Sequence, residues 1–239
     1  MNQVNNGCFV ISLDFEKYWG VRDHKTINDY SGNLKLVDTV CIKTLDLFNK
    51  YNIQSTWAIV GFLMFRNKEE LIEFTPNLKP RYGDKSLDPY SYLDDNKLDD
   101  IYHFSNDIIC KIVEDENQEL ASHTFSHYYC LENGQDIETF KSDTQAFKDV
   151  LYKKHGIKVS SIVFPRNQVN NEYLTTLKSY GISTYRGNER SWLYQKNFNL
   201  KLKRGFRLLD NYINLTGSNT YKIDKNKNIE LLDIPSSRF

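Results

Sequence analysis

The chain has 239 residues with 31 basic and 31 acidic side chains, so no overall field directs it to nucleic acid or to an anionic membrane surface. No apolar run reaches the length of a membrane span, which excludes insertion by a helix, and Cys8, Cys41, Cys110 and Cys130 contain no CxxC pair, which argues against a disulfide framework or a thiolate metal site. The length suits one substantial core, and without a Pro/Gly/Ser linker or an internal repeat a single domain over 1–239 is expected.

The opening MNQVNNGCFVISLDF has no basic region followed by an apolar one, which predicts a cytoplasmic protein. Within it CFVISLDF (8–15) reads as a first strand, and 34–52 as a helix from the spacing of Leu36, Val40, Leu47 and Phe48. IQSTWAIVGF (53–62) reads as a second strand, followed by a polar and aromatic stretch with the Pro, Gly and Asp of an irregular loop. Ile101, Phe104, Ile108, Ile109 and Ile112 predict a helix over 98–116 leading into a short strand, ELAS. The segment 136–156 reads as an amphipathic helix closed by Gly156, and KVSSIVFP (158–165) as a buried strand stopped by Pro165. A helix over 170–181, a strand at ISTYRG, a helical FRLLDNYINL and a last strand in IELLDIPSS complete the chain. Repeated strand–helix alternation predicts a mostly parallel sheet with outer helices, whose ligands bind at the carboxyl ends of the strands.

Two of only five histidines fall four residues apart, in SHTFSH, just after ELAS. On a helix His123 and His127 would share one face, close enough to hold a single ion, and a catalytic ion takes a third protein ligand while keeping one position for water. A carboxylate is available at the end of the first strand, where Asp14 and Glu16 in SLDFEKYWG are two apart and so point to the same side. Two such groups divide labour when one holds a metal and the other accepts a proton.

With these motifs in order, the sequence from about Cys8 to Gly187 resembles the polysaccharide deacetylases of the NodB-homology class, carbohydrate esterase family 4. The resemblance implies an α/β fold, a distorted (β/α) barrel. It also implies a metal-dependent hydrolase that removes an N-acetyl group from a sugar. In that pattern Glu16, His123 and His127 would be the metal ligands and Asp14 the base, although Asp14-Phe15-Glu16 replaces the family's adjacent aspartates and leaves the two carboxylate roles open to exchange. VFPRNQV is similar to the variant found in members associated with surface-polysaccharide gene clusters. It implies Arg166 as a catalytic partner that pairs with and orients Asp14, with backbone N–H groups near Asn167 as an oxyanion site. Trp19, Asn167, Arg186 and Trp192 would face the sugar.

The resemblance further implies a divalent cofactor, Zn²⁺ foremost, with Co²⁺, Ni²⁺, Mn²⁺ and Fe²⁺ as other fits to two imidazoles and a carboxylate. The expected partner is an N-acetylated sugar, or a nucleotide- or lipid-linked glycan precursor of a surface polysaccharide; the oligomeric state is not legible. One departure stands out: the family's late histidine, its general acid, has no counterpart after His155. The expectation is therefore a C-terminally incomplete domain lacking the last strand. Two other outcomes follow from the same residues, another linear or cyclic amide hydrolase of this fold, or an inactive sugar-binding remnant.

Overall fold

Alternating side chains of the strands set the plan of the molecule. The computed structural model describes residues 7–194, 200–210, 212–217, 220–222, 225–226 and 230–236. In β1 (Ser12–Phe15) the apolar Leu13 and Phe15 face the helices, while Ser12 and Asp14 face the other way. The same division holds in β2 (Ser55–Ile59), β3 (Gln118–Ser122), β4 (Ser161–Val163) and β5 (Thr184–Gly187). Trp57, Ile59, Leu120, Ile162 and Tyr185 enter the main core, and the small Ala58, Ala121 and Val163 cluster on the opposite, inner face. A two-residue β6 (Lys225–Asn226) and β7 (Leu231–Pro235) complete the order β1-β2-β3-β4-β5-β7-β6, with only β6 antiparallel.

In a flat sheet the four spacings between β1 and β5 would total about 19 Å. Yet Arg186 of β5 bonds both Asp14 and Ser12 of β1. The sheet therefore curls until the inner sides of these strands oppose each other, the distorted barrel expected from the sequence. Among the described residues no backbone pairing closes it.

Helices cover the outer face. Helix α1 (Ile27–Leu34), capped by the Thr26 hydroxyl, is a helix not expected from the sequence, and α2 (Val37–Tyr51) is the helix predicted over 34–52, starting three residues later. The face of α2 that packs is Cys41, Leu45 and Phe48; Leu36, Val40 and Leu47 of the anticipated stripe are exposed. After α3 (Lys68–Glu73), the stretch read as an irregular loop contains α4 (Pro89–Asp95), which buries Tyr90 and Leu93. The helix predicted over 98–116 is broken into α5 (Asp100–His103) and α6 (Asn106–Glu114). The break has a visible cause: the fully buried Lys17 ammonium donates to the carbonyls of Ile101 at 3.0 Å and Phe104 at 2.7 Å, drawing them out of a continuous helical ladder. Helix α7 (Ile137–His155) runs between its Asp136 cap and the left-handed Gly156, as its sequence predicts, and α8 (Asn171–Leu177) and α9 (Leu200–Asp210) follow. All four cysteines are free, and no helix among the described residues is long and apolar enough to cross a membrane.

Candidate metal centre

The two histidines leave the end of β3 in a tight loop, not in a helix. Thr124 and His127 both have left-handed backbone, with φ of 64° and 58°. For a β-branched residue such as Thr124 this is strained, at a cost of about 1–3 kcal/mol. Local bonds hold the strain in place. The Thr124 hydroxyl donates to the His123 carbonyl and accepts from the Tyr128 N–H, both at 2.6 Å. The loop is seated on the end of β2 by bonds from Gly61 N–H to the Thr124 carbonyl and from Phe62 N–H to the Phe125 carbonyl, each 3.0 Å. A Cβ at Gly61 would lie only 2.8 Å from Phe125 Cα, so only glycine allows this approach.

Beneath the loop lies Asp143 of α7, wholly buried. Its carboxylate accepts from the N–H groups of Phe125 (2.7 Å) and Ser126 (3.0 Å) and from the Ser126 hydroxyl. Burial pushes its carboxyl up to about 6, against the pull of these hydrogen bonds. Sequence reading missed this residue, although a signal exists: Asp143 interrupts the buried run Phe140, Thr144, Phe147 of an amphipathic helix.

The loop delivers His123 and His127 to Glu16, which sits just past β1, and the ligand atoms of the three lie within 4.8 Å of one another. Glu16 Oε2 is 3.2 Å from His123 Nε2 and 2.9 Å from His127 Nε2. On its far side, His123 Nδ1 is 2.9 Å from the Val163 carbonyl, which only accepts, so Nδ1 carries the hydrogen and Nε2 presents a lone pair to the carboxylate. Two acceptors that close require a positive charge between them, either a proton or a metal ion. His127 Nδ1 is buried without a hydrogen-bond partner among the described residues. Burial disfavours ionised Glu16, but hydrogen bonds and charge from His123 and His127 outweigh it and hold its carboxyl well below the usual range. Burial lowers His127, with Glu16 acting in the opposite direction. Two nearly buried imidazoles and a partly exposed carboxylate converge as a divalent-ion site requires, and the donor set fits Zn²⁺-type chemistry. A Cβ on Gly20 would collide with the Glu16 carboxylate, so glycine there leaves the ligand its space.

Asp14 faces the same inner side, as the two-residue spacing predicts, but its partner is not the expected one. Arg186 grips Asp14 in a two-pronged pair at 2.6 and 2.7 Å, and donates also to Ser12 and to the Asn167 side chain at 3.2 and 3.1 Å. Arg166 instead pairs with Asp23 and lies over the Tyr129 ring, 4.5 Å from its centroid. The reason is its left-handed backbone, φ 53°, which turns the side chain out of the line that β4 would give it. The N–H groups of Asn167, Gln168 and Val169 bond to local carbonyls, so they form no ready oxyanion site. Trp19 cannot face a sugar: it is fully buried, donates to the His103 carbonyl at 2.8 Å and packs on Phe62 and Tyr92. Trp192 is half exposed in the turn after β5, against Phe206.

The polysaccharide deacetylase family model matches residues 25–185. It takes in the histidine loop, Arg166 and Asn167, and excludes Asp14, Glu16 and Arg186. Similar solved structures include a carbohydrate esterase family 4 pseudoenzyme from Bacillus anthracis (13% identity, 74% of this chain and 42% of that one, TM-score 0.42). They also include a de-N-acetylase from Aggregatibacter actinomycetemcomitans (14% identity, 76% and 63%, TM-score 0.44) and IcaB from Ammonifex degensii (13% identity, 74% and 58%, TM-score 0.44). The chain thus spans from 42% to 63% of the length of these structures. No curated protein gives a significant match.

Proposed function

The chain belongs to the polysaccharide deacetylase family, and from that premise we propose that it hydrolyses an N-acetyl group on a sugar, with Glu16, His123 and His127 holding a divalent ion. The observation that carries the proposal is the meeting of the two Nε2 atoms on one oxygen of Glu16, a convergence of two imidazoles and a carboxylate that a cation satisfies. A divalent ion held there, Zn²⁺ best matching the donors, supplies Lewis acidity, which makes water a nucleophile near neutral pH and polarises the acetyl carbonyl.

The remaining work belongs to the chain's own side chains. Asp14, fixed by the Arg186 fork, is the base that takes the proton of the attacking water. Arg186 is in turn located by Ser12 and Asn167, so a pull on any of these would misalign the base. His123 is locked in one tautomer and one ring orientation by the Val163 carbonyl. The partly exposed Asp14, Glu16 and Arg186 leave this inner face open to a polar substrate. Trp192, exposed beyond β5, is a candidate platform for a sugar ring. The stretch VFPRNQV supports a glycan of a surface polysaccharide, or its nucleotide- or lipid-linked precursor, as the substrate class.

Acetate release from N-acetylated oligosaccharides and sugar precursors tests the proposal, with the full chain stripped of metal and then supplied with Zn²⁺ or Co²⁺. Metal-dependent acetate release is expected. Release from ureides or cyclic amides alone would replace the sugar substrate, and glycan binding without any acetate release would make the chain a binding protein.

A further inference from the structure

The two imidazoles at the ion site are not held alike. His123 is turned by the hydrogen bond from its Nδ1 to the Val163 carbonyl, whereas His127 Nδ1 is buried with no hydrogen-bond partner among the described residues. A metal-binding imidazole is ordinarily oriented by a bond at its second nitrogen. We infer that the Tyr129 ring, clamped by Arg166 and Asp23, orients His127 in place of that bond, an inference that rests on the metal-site reading above.

The contacts form a closed path between the two loops that carry the ligands. Tyr129 is fully buried, and its ring meets the His127 imidazole edge to face, with centroids 5.0 Å apart and planes at 78°. The Arg166 guanidinium lies over the same Tyr129 ring, 4.5 Å from its centroid. Arg166 is fixed in turn by Asp23, whose side chain is only 8% exposed and whose other oxygen is 3.0 Å from His24 Nδ1. Asp23 lies in the loop that follows Glu16, and Glu16 Oε2 is 2.9 Å from His127 Nε2, so the path returns to the imidazole where it started.

This arrangement restricts His127 by packing. The residue has left-handed backbone, φ 58°, and no bond at Nδ1 opposes rotation of its ring. A flat neighbour that is itself immobile supplies the resistance. The Tyr129 N–H donates to the Tyr82 hydroxyl at 2.9 Å, its ring packs edge-on against the buried Tyr82, and the cation over its face attracts it from the other direction. The Tyr129 hydroxyl is buried without a hydrogen-bond partner among the described residues, so the ring carries the role and the hydroxyl does not. Arg166, which does not serve Asp14, thereby acts on the metal centre as a positioning residue.

The test measures Zn²⁺ affinity of the full chain by chelator competition, together with the visible spectrum of the Co²⁺-loaded chain, which reports ligand geometry. Tyr129→Leu should weaken Zn²⁺ binding by about 10–100-fold and shift the Co²⁺ bands, while Tyr129→Phe, which keeps the ring, should stay within about threefold of wild type in affinity with an unshifted spectrum. Arg166→Gln should weaken binding by about 2–5-fold. Phe48→Leu, a ring lost from the packing of α2 on Trp57, should lower stability in urea yet leave Zn²⁺ affinity within about threefold. A folded Tyr129→Leu chain that binds Zn²⁺ as wild type does would overturn this inference alone. So would Tyr129→Phe binding as weakly as Tyr129→Leu, or Phe48→Leu weakening the ion as much. If near-ultraviolet circular dichroism shows Tyr129→Leu unfolded, Arg166→Gln decides, and affinity and Co²⁺ bands both equal to wild type would overturn the clamp. A folded wild type that binds no Zn²⁺ would overturn the metal-site reading, and this inference with it.

Discussion

The two carboxylates at the end of β1 sit two residues apart in the sequence and are held in opposite ways. Glu16 meets two buried imidazoles, and behind each ligand stands another buried polar group: Lys17 next to Glu16, the Val163 carbonyl behind His123 and Asp143 beneath the histidine loop. Asp14 has one partly exposed ion pair with Arg186, itself placed by two neutral side chains. The contrast suits the two tasks. A metal site needs ligands fixed before the ion arrives, so strain in the loop is held by interior hydrogen bonds. A base must meet water and substrate, so it stays at the open side of the barrel. Breaking an interior support should therefore cost stability and metal affinity together, whereas breaking the Asp14 pair should cost turnover with little change in either.

The largest effect on stability is expected for Lys17→Ala. Removing the ammonium leaves the Ile101 and Phe104 carbonyls without their charged donor and takes one partner from the half-exposed Asp38, which keeps the Ser105 hydroxyl; at about 1–3 kcal/mol for each buried group left unpaired, the two carbonyls together lose more than any other support. Urea unfolding should show this, with a parallel loss of metal affinity because Lys17 adjoins Glu16.

Next comes Asp143→Asn, whose amide NH₂ must face one of the two backbone N–H donors, of Phe125 or of Ser126, that the carboxylate accepts. A loss of about 1–3 kcal/mol at neutral pH is expected, from leaving buried donors unpaired. This variant also has a pH signature. The Asp143 carboxyl is raised from 3.8 to about 6 in the folded protein, so the native state holds a proton that the unfolded chain has released between those values. Its contribution to stability is fully present below 3.8 and is lost as pH rises through 6. The stability of wild type relative to Asp143→Asn should therefore rise as pH falls from 7 to 4, by on the order of 3 kcal/mol at most, in metal-free protein.

The smallest effect on stability is expected for Asp14→Asn and Arg186→Gln, within about 1 kcal/mol, since exposed ion pairs contribute little and salt screens them. Their kcat should nonetheless drop by about 10²–10⁴, the range for loss or misplacement of a general base, with metal stoichiometry kept. A metal-free Asp14→Asn protein would erase the contrast between the two carboxylates.

Much of this arrangement can be read from the sequence because local rules govern it. Asp136 and Gly156 bound α7, alternation separates Phe15 from Asp14, and two histidines after ELAS announce a site. What escapes is decided by partners distant in the chain. The helix over 98–116 breaks because Lys17, more than eighty residues away, takes its carbonyls. By its motif the arginine of the PRN turn belongs with Asp14, but a left-handed backbone at Arg166 sends it to Asp23, and Arg186, read as a sugar contact, takes Asp14. Trp19 follows the motif, which places it at the site, yet the 3-10 turn at 17–20 rotates it into the core. Helical spacing was also a misleading cue for His123 and His127, which meet through a strained loop and not through a helix face.

The most direct test is the metal content of the purified chain after equilibration with Zn²⁺, measured beside a His123→Ala, His127→Ala double variant. The account predicts about one ion per folded wild-type chain and none in the variant, the single site expected of two imidazoles and a carboxylate. A folded wild-type chain that binds no stoichiometric ion, or a double variant that binds as well as wild type, would contradict it.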